Sequence, residues 1–260
     1  MVAEPVDERT TELFPNLRVV ANYGAGYDLV DVEACRRRGV VVTNTPGVTS
    51  AATADLTLGL ILAVRRRIAA GDAFVRSGGW ASGWADEPLT GDEVSGSTLG
   101  IVGLGRIGGA VAQRARGFEL RVLHTRRRPS DDPDYRSLED LLAESDVVSL
   151  HLPLTEETRG LIDAQLLALM RDGAALINTA RGQIVDEPAL VAELVSGRLQ
   201  AGLDVFADEP SVPRELFELS NVVMTPHLGT ATQATREAMT RVLVDNLLAV
   251  EAGREPPNAV

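Results

Sequence analysis

Three glycines in the middle of the chain have the spacing of a phosphate-binding loop. Gly103, Gly105 and Gly108 form G-x-G-x-x-G between the apolar run TLGIVGL and the helical spacing of RIGGAVAQRARGF. Glycines at these positions permit a tight turn and let the backbone approach a pyrophosphate, while the helix N-terminus supplies N–H donors. Because a predicted strand precedes the loop and a predicted helix follows it, we expect a dinucleotide site rather than an empty strand–helix turn.

An arginine cluster stands where such a loop usually has its acidic partner, about twenty residues further on. The stretch HTRRRP, His124–Pro129, follows the second strand of the pattern, and Arg126 takes the place of the acid. A carboxylate there binds the ribose 2′-hydroxyl and repels a 2′-phosphate, whereas an arginine does the reverse. We therefore predict NADP(H) as the preferred cofactor, with NAD(H) possible. The alternative is a solvated cluster, as we expect for the triplets Arg36–Arg38 and Arg65–Arg67.

Two side chains that follow predicted strands could act on a carbonyl compound. His227 follows the run NVVMTP, and an imidazole can donate a proton near neutral pH, as reduction of a ketone requires. Arg181 follows ALINTA, where a guanidinium could hold a carboxylate and stabilise a developing alkoxide. The other two histidines, His124 and His151, remain alternatives to His227, and a solvated arginine remains the alternative for Arg181.

The composition argues against several classes of function. The net charge of −12 disfavours nucleic acid and anionic membranes as partners, and the absence of lysine excludes Schiff-base chemistry. The single cysteine, Cys35, cannot form an internal disulfide and reads as a packed residue, and we predict no metal site. The longest apolar run, Leu56–Val64, is too short to span a bilayer, and the acidic N-terminus does not resemble a signal peptide. We therefore expect a cytoplasmic protein.

Strand and helix patterns alternate from Ser97 onward and predict six buried strands joined by helical crossovers. This is the pattern of a doubly wound parallel α/β sheet. Upstream, LRVVANYG and VVVTNTP predict two further parallel strands with a helix near Val32–Arg38 between them, and Ser50–Arg76 predicts one long helix. We assign residues 1–70 and 232–260 to a substrate domain. Residues 71–231 are assigned to a dinucleotide-binding domain that includes an arm at about 72–96.

The chain resembles the D-isomer-specific 2-hydroxyacid dehydrogenases, in particular the glyoxylate and hydroxypyruvate reductase branch. The resemblance runs from about Asn16 to Pro257 and rests on seven segments in the family's order: VVANYGAGYD, VTNTPGVTSAATADLTLGLILA, GSTLGIVGLGRIG, DVVSLHLPLTEETRGLI, ALINTARGQIVDEPAL, AGLDVFADEP and VVMTPHLGTAT. It implies a Rossmann domain plus a smaller flavodoxin-like substrate domain. It also implies reduction of a small 2-oxo acid, bound between the domains, to the D-2-hydroxy acid by hydride transfer from NAD(P)H.

The same resemblance implies roles for individual residues. Glu209 would pair with His227, with Asp208 as a competing neighbour, and Arg181 together with the amides of Ala25 and Gly26 would hold the substrate carboxylate. Asp204 would face the nicotinamide, unless it is a turn cap. The predicted cofactor-binding residues are Gly103, Gly105, Arg106, Ile107, Gly108, Thr125, Arg126, Arg127, Thr179, Ala180, Asp204 and Gly229.

The sequence departs from the family pattern at two places, the start of the chain and the arm that follows the predicted long helix. The chain begins late, so we expect a substrate domain shortened by at least one βα unit of about 30 residues. The arm, with Trp80 and Trp84, matches the family only loosely, although in relatives it packs in a homodimer, which we also expect here. Two other functions stay open: a phosphoglycerate dehydrogenase-like enzyme, and a dinucleotide-sensing, corepressor-like binding protein without turnover.

Overall fold

The segments predicted as parallel strands form two separate sheets in the computed structural model, which describes residues 5–83 and 89–260. The chain falls into two units, Met1–Ala52 with Thr230–Val260, and Thr53–Gly229. The first division lies inside a helix, whereas the sequence placed the boundary at residue 70. Trp84 of the predicted arm lies outside the described residues, while Trp80 lies within them.

The helices and strands follow one another in the alternating order expected of an α/β chain. The strands are β1 (Val19–Ala21), β2 (Val41–Thr43), β3 (Thr98–Val102), β4 (Arg121–Thr125), β5 (Val147–Leu150), β6 (Ala175–Asn178), β7 (Gln200–Leu203) and β8 (Val222–Met224). The helices are α1 (Glu8–Leu13), α2 (Val32–Arg37), α3 (Ser50–Arg65), α4 (Ile68–Arg76), α5 (Arg106–Arg116), α6 (Leu138–Glu144), α7 (Ala164–Leu169), α8 (Glu187–Val195) and α9 (Gln233–Glu251). Within the described ranges, none of these helices combines the length and apolarity needed to cross a membrane.

The smaller unit contains the parallel pair β1–β2 with α2 between them in sequence, as predicted. Asp31 caps α2 by accepting a hydrogen bond from the Ala34 N–H at 2.8 Å, and Gly39 follows the helix with φ 68°. Cys35 is fully buried in a small apolar cluster with Val40 and Val42, which confirms it as a packed residue.

The larger unit is built on a six-stranded sheet in the order β4-β3-β5-β6-β7-β8. All five pairings are parallel, and the strands are almost entirely buried because helices cover both faces. The predicted doubly wound sheet is therefore confirmed. The chain runs outward from β3 to β4 and then crosses to β5 on the other side, which creates a topological switch point beside β3.

The prediction of one long helix over Ser50–Arg76 was wrong. The helix ends at Arg65 and a second begins at Ile68, because Arg67 adopts a left-handed conformation with φ 51°. The Arg65 carbonyl at the end of α3 accepts a hydrogen bond from the Asp92 N–H at 2.7 Å. This carbonyl is therefore paired with a segment distant in sequence rather than with a further turn of helix. A Cβ at Gly91 would lie 2.4 Å from the same carbonyl oxygen, so only glycine permits this approach.

Candidate active site

The carboxyl edge of the six-stranded sheet collects most of the residues predicted to do chemistry. Because all six strands are parallel, their carboxyl ends share one edge, where doubly wound folds bind ligands. The glycine loop follows β3, Arg126 follows β4, Arg181 lies three residues beyond β6, Asp204 follows β7, and His227 lies three residues beyond β8. The edge therefore brings together the residues predicted to bind a cofactor and those predicted to transfer a proton.

The glycine loop has the geometry of a phosphate cradle. Gly103 has φ 98°, and a Cβ there would lie 2.7 Å from the His151 carbonyl oxygen. At Gly108 a Cβ would lie 2.2 Å from the Gly103 oxygen, whereas at Gly105 it would meet no atom within 4 Å. Gly105 precedes α5 without a side-chain cap, and the first turn of α5 holds no acidic residue. An anionic phosphate would supply the missing acceptor for these N–H groups, so the residues fit a dinucleotide.

The arginines after β4 are exposed but have acidic neighbours. The Arg126 guanidinium donates a hydrogen bond to the Ser130 hydroxyl. The Asp134 N–H, the His124 ring and the Arg126 charge lower the pKa of Asp132. A 2′-phosphate at Arg126 would therefore share that arginine with a hydroxyl and a nearby carboxylate.

His227 and Glu209 form a close pair at this edge. His227 Nδ1 lies 2.8 Å from Glu209 Oε2, and both side chains are partly exposed. Burial alone would raise the pKa of Glu209, but the hydrogen bond and charge of His227, the Phe206 N–H and the Arg181 charge together lower it. An ionised carboxylate can only accept, so Nδ1 carries a proton and Nε2 faces away from Glu209. Of the two neighbouring acids, Asp208 and Glu209, it is Glu209 that pairs with His227.

Asp204 organises the loop that carries His227. His227 has φ 54°, a left-handed conformation that is uncommon for a residue with a side chain. The fully buried Asp204 carboxylate accepts hydrogen bonds from the Thr225 hydroxyl and from the N–H groups of Leu228 and Gly229, at 2.5, 2.7 and 2.9 Å. Burial raises the pKa of Asp204, and these bonds oppose the rise. The carboxylate thus acts as a turn cap in the structure, while its contact with a nicotinamide stays a prediction.

Arg181 belongs to a tight turn after β6 that Asn178 holds in place. The Asn178 side chain donates to the Arg181 carbonyl at 2.8 Å and accepts from the Ala180 N–H at 3.0 Å. The guanidinium donates a hydrogen bond to the Ala180 carbonyl at 2.7 Å, and its positive charge helps to lower the pKa of Glu209. Thr179 is tied to α3 through a 2.9 Å contact between its hydroxyl and that of Thr57. The turn therefore presents Arg181 from a fixed backbone next to the Glu209–His227 pair.

The other two histidines have structural surroundings. His124 is buried, with its Nε2 atom 3.2 Å from Asp132 Oδ2 and its ring edge-on to Tyr135. His151 Nε2 lies 2.9 Å from the Ser149 hydroxyl, and burial lowers the pKa of His151 to about 4. His151 is therefore neutral near pH 7 and a poor proton donor. Of the three histidines, His227 alone combines exposure with a glutamate partner.

The predicted substrate loop lies in the smaller unit and is held through its carbonyl groups. Asn22 Nδ2 donates to the carbonyls of Gly24 and Gly26, and Asn44 Nδ2 donates to that of Ala25 at 2.8 Å. Among the backbone hydrogen bonds of residues 5–83 and 89–260 outside helices and strands, none has the N–H of Ala25 or Gly26 as its donor. These two amides fit a role in binding an anion, which remains a prediction.

Several residues that shape the site were not identified from the sequence. Thr225 bonds to Asp204, Ser130 bonds to Arg126, and Gln183 and Glu187 bond to the backbone of Ala207. Each of them contacts a group that is distant in sequence or lies across a turn. Their spacing alone carries no sign of these contacts.

Comparisons with known proteins agree with this geometry. The family model "D-isomer specific 2-hydroxyacid dehydrogenase, NAD binding domain" matches residues 58–229. The glyoxylate reductase of Pyrococcus horikoshii is 47% identical over 100% of this chain and 81% of its own length. A crystal structure of a protein from Thermus thermophilus is 51% identical, with TM-score 0.93 over 99% of this chain and 83% of that chain.

A further solved relative is the NADPH-dependent glyoxylate/hydroxypyruvate reductase of Sinorhizobium meliloti in complex with NADP and malonate. It is 36% identical, with TM-score 0.91 over 99% of this chain and 82% of that one. The fold and site define an oxidoreductase with an NAD(P)-binding domain. The chain belongs to the D-isomer specific 2-hydroxyacid dehydrogenase family.

Proposed function

We propose that this protein is an NADPH-dependent reductase of small 2-oxo acids, with glyoxylate or hydroxypyruvate as substrate. The observation that carries the proposal is the His227–Glu209 pair, 2.8 Å apart at the same sheet edge as the glycine loop. The relatives named glyoxylate reductase, at 47% identity across this whole chain, support the choice of substrate.

The cofactor residues have defined tasks. The first-turn N–H groups of α5, at Arg106 and Ile107, would bind the pyrophosphate that Gly105 leaves room for. Arg126, with Arg127 beside it, would hold a 2′-phosphate. When bound, the cofactor supplies hydride to the carbonyl carbon of the substrate. Thr125, Thr179, Ala180, Asp204 and Gly229 complete the proposed cofactor surface along the carboxyl edge.

His227 would protonate the carbonyl oxygen as negative charge develops on it. Glu209 accepts a hydrogen bond from the Nδ1–H group, which fixes the imidazole orientation and stabilises the charged ring. After the transfer the neutral imidazole must regain a proton from solvent, and its half-exposed position permits this. In the reverse direction the same nitrogen would remove the hydroxyl proton.

Arg181 would hold the substrate carboxylate and polarise the neighbouring carbonyl. A guanidinium offers two parallel donors to a carboxylate, which fixes the orientation of the 2-oxo acid. We propose separately that the Ala25 and Gly26 amides of the smaller unit bind a substrate carboxylate, which assigns that unit to substrate binding. The carbonyl bonds from Asn22 and Asn44 would keep that loop in shape.

Replacing Gly105 by alanine is expected to weaken cofactor binding at a small cost in stability, because Gly105 is the N-cap of α5, where alanine is less favourable than glycine. A Cβ there meets no protein atom within 4 Å, but it occupies the space into which the pyrophosphate must come. We expect the NADPH Kd to rise roughly ten- to a hundredfold, the usual cost of an overpacked contact. Gly109→Ala is the matched control, since that helical position is also open. It should raise stability by about 0.5–1 kcal/mol and leave Kd unchanged. Equal Kd values in both variants would argue against a phosphate at Gly105.

Replacing Arg181 by lysine is expected to raise the KM for the 2-oxo acid about tenfold or more, because the charge remains but the paired donors are lost. The Kd of NADPH, measured by fluorescence titration, should not change. A KM equal to that of the unmodified protein would remove Arg181 from the substrate site.

We also propose that the chain forms a homodimer through its arm. In α4 no residue is buried, and Ile68, Val75 and Trp80 are each more than half exposed. Apolar side chains at this density fit a protein interface. Sedimentation analysis should show a dimer for the unmodified chain and a monomer for Val75→Asp, and a monomer in both cases would contradict the proposed interface.

A panel of substrates tests the proposed function. We expect kcat/KM to be highest for glyoxylate or hydroxypyruvate with NADPH, compared with pyruvate and phosphohydroxypyruvate and with NADH. A clear preference for phosphohydroxypyruvate would instead indicate a phosphoglycerate dehydrogenase-like enzyme.

A further inference from the structure

The backbone N–H and carbonyl of Ala207 are both held by side chains from the segment that follows Arg181. Glu187 Oε1 accepts a hydrogen bond from the Ala207 N–H at 2.9 Å, and Gln183 Nε2 donates to the Ala207 carbonyl at 2.7 Å. We call this arrangement the Ala207 clamp. Both clamping residues lie in the segment that follows Arg181, so they connect the ends of β6 and β7.

The backbones of these two loops also touch directly. A Cβ at Gly182 would lie 2.0 Å from the Phe206 carbonyl carbon and 2.2 Å from its oxygen. No side chain fits between them, so the peptide at Gly182 packs against that of Phe206. Direct packing together with the clamp makes the Arg181 turn and the loop after β7 one rigid structure.

The clamp acts two residues before Glu209. The Phe206 N–H donates to Glu209 Oε1 at 3.1 Å, which leaves Oε2 for His227 Nδ1 at 2.8 Å. Glu209 itself is partly exposed and could turn toward water if the preceding backbone moved. The orientation of its carboxylate therefore depends on the position of the backbone at Phe206 and Ala207.

We propose that Gln183 and Glu187 are positioning residues that hold Glu209 against His227 through the backbone of Ala207. The inference rests on the proposed function, in which this pair transfers the proton. Neither residue needs to touch substrate or cofactor. Their contribution is to fix the imidazole in the form with hydrogen on Nδ1, so that Nε2 faces the reacting oxygen.

Four variants distinguish the effect of the two hydrogen bonds to Ala207 from the effect of the Glu187 charge and from the effect of losing an acid in the first turn of a helix. Glu187→Ala removes the acceptor and leaves the Ala207 N–H unpaired, whereas Glu187→Gln keeps an oxygen that can accept. Gln183→Ala removes the donor on the other side. Glu139→Ala is the matched control, because Glu139 is also an acid in the first turn of a helix, α6, but is exposed and away from the clamp.

Two measurements test the proposal, one of them independent of turnover. In the chain without cofactor, ¹⁵N NMR of the histidine rings reports which nitrogen of His227 carries hydrogen, with His227→Asn used for assignment. We expect the Nδ1-protonated form in the unmodified chain, Glu187→Gln and Glu139→Ala, and a mixture of tautomers in Glu187→Ala and Gln183→Ala. In steady-state assays with glyoxylate and NADPH, kcat should fall about tenfold in the two alanine variants, with little change in KM and with activity restored in Glu187→Gln.

The outcomes distinguish this inference from the function on which it rests. A His227 tautomer unchanged in Glu187→Ala would overturn the clamp, whatever the activity. An equal effect of Glu187→Gln and Glu187→Ala on the tautomer would also overturn it, because charge rather than the hydrogen bond would then be responsible. A tautomer shift as expected, in a chain that does not turn over glyoxylate, would support the clamp and contradict the proposed function.

Discussion

Replacing His227 by asparagine is expected to lower kcat for reduction by about 10²- to 10⁴-fold, the usual contribution of a positioned general acid. Asparagine is the suitable substitute because position 227 has φ 54°, a left-handed conformation that asparagine adopts more readily than alanine. The loop should therefore keep its hydrogen bonds to Asp204. NADPH binding, measured by fluorescence titration, should be unchanged, so the loss lies in the chemical step.

The neighbouring acids provide the control for this experiment. Glu209→Gln should lower kcat by a smaller factor than His227→Asn, because the imidazole remains but loses its ionised partner. Asp208→Asn changes the adjacent exposed acid, whose carbonyl bonds to the Ser211 N–H, and should leave kcat unchanged. Near-normal turnover in His227→Asn would rule out the proposed mechanism.

Replacing Arg126 by aspartate is expected to reverse the cofactor preference. A charge-assisted contact contributes about 1.5–3 kcal/mol, which corresponds to roughly ten- to a hundredfold in affinity. The unmodified chain should therefore prefer NADPH by up to this factor in kcat/KM. In the variant, the carboxylate repels a 2′-phosphate and can accept a bond from the ribose 2′-hydroxyl, so NADH should become the better cofactor.

The two surroundings of Arg126 set the size of this effect. The Arg126 guanidinium already donates a hydrogen bond to the Ser130 hydroxyl and attracts the nearby Asp132 carboxylate. These two contacts offset part of its attraction for a 2′-phosphate. Arg38→Asp, at the C-terminal end of α2, makes the same change in net charge in the other unit, and it should leave the NADPH to NADH ratio unaltered. Equal use of both cofactors by the unmodified chain would show that the arginines do not select the cofactor.

The six-stranded sheet could be predicted because its strands and their connections are marked by patterns of residues that are adjacent in the sequence. Strands that are buried on both faces read as short continuous apolar runs, and the glycine loop marks the first crossover. Asp186 caps α8 by accepting a hydrogen bond from the Ala189 N–H at 3.1 Å, and its place directly before Glu187-Pro188 is typical of a helix start. These features follow from residues next to one another in the chain.

The remaining features depend on contacts between distant segments. The break after Arg65 is associated with the approach of Gly91 and Asp92, which no periodicity in Ser50–Arg76 reveals. The left-handed conformation of His227 occurs beside the buried carboxylate of Asp204, and the Ala207 clamp joins the ends of two strands. Motifs therefore located the chemical groups, whereas the structure was needed to find what holds them in place.

The most direct test of the central claim is the oxidation of NADPH in the presence of glyoxylate, followed by absorbance with the unmodified chain. We predict steady multiple turnover that depends on both compounds, with glycolate as product. Tight binding of NADPH without turnover of glyoxylate, hydroxypyruvate or pyruvate would contradict the account and would indicate a dinucleotide-sensing protein instead.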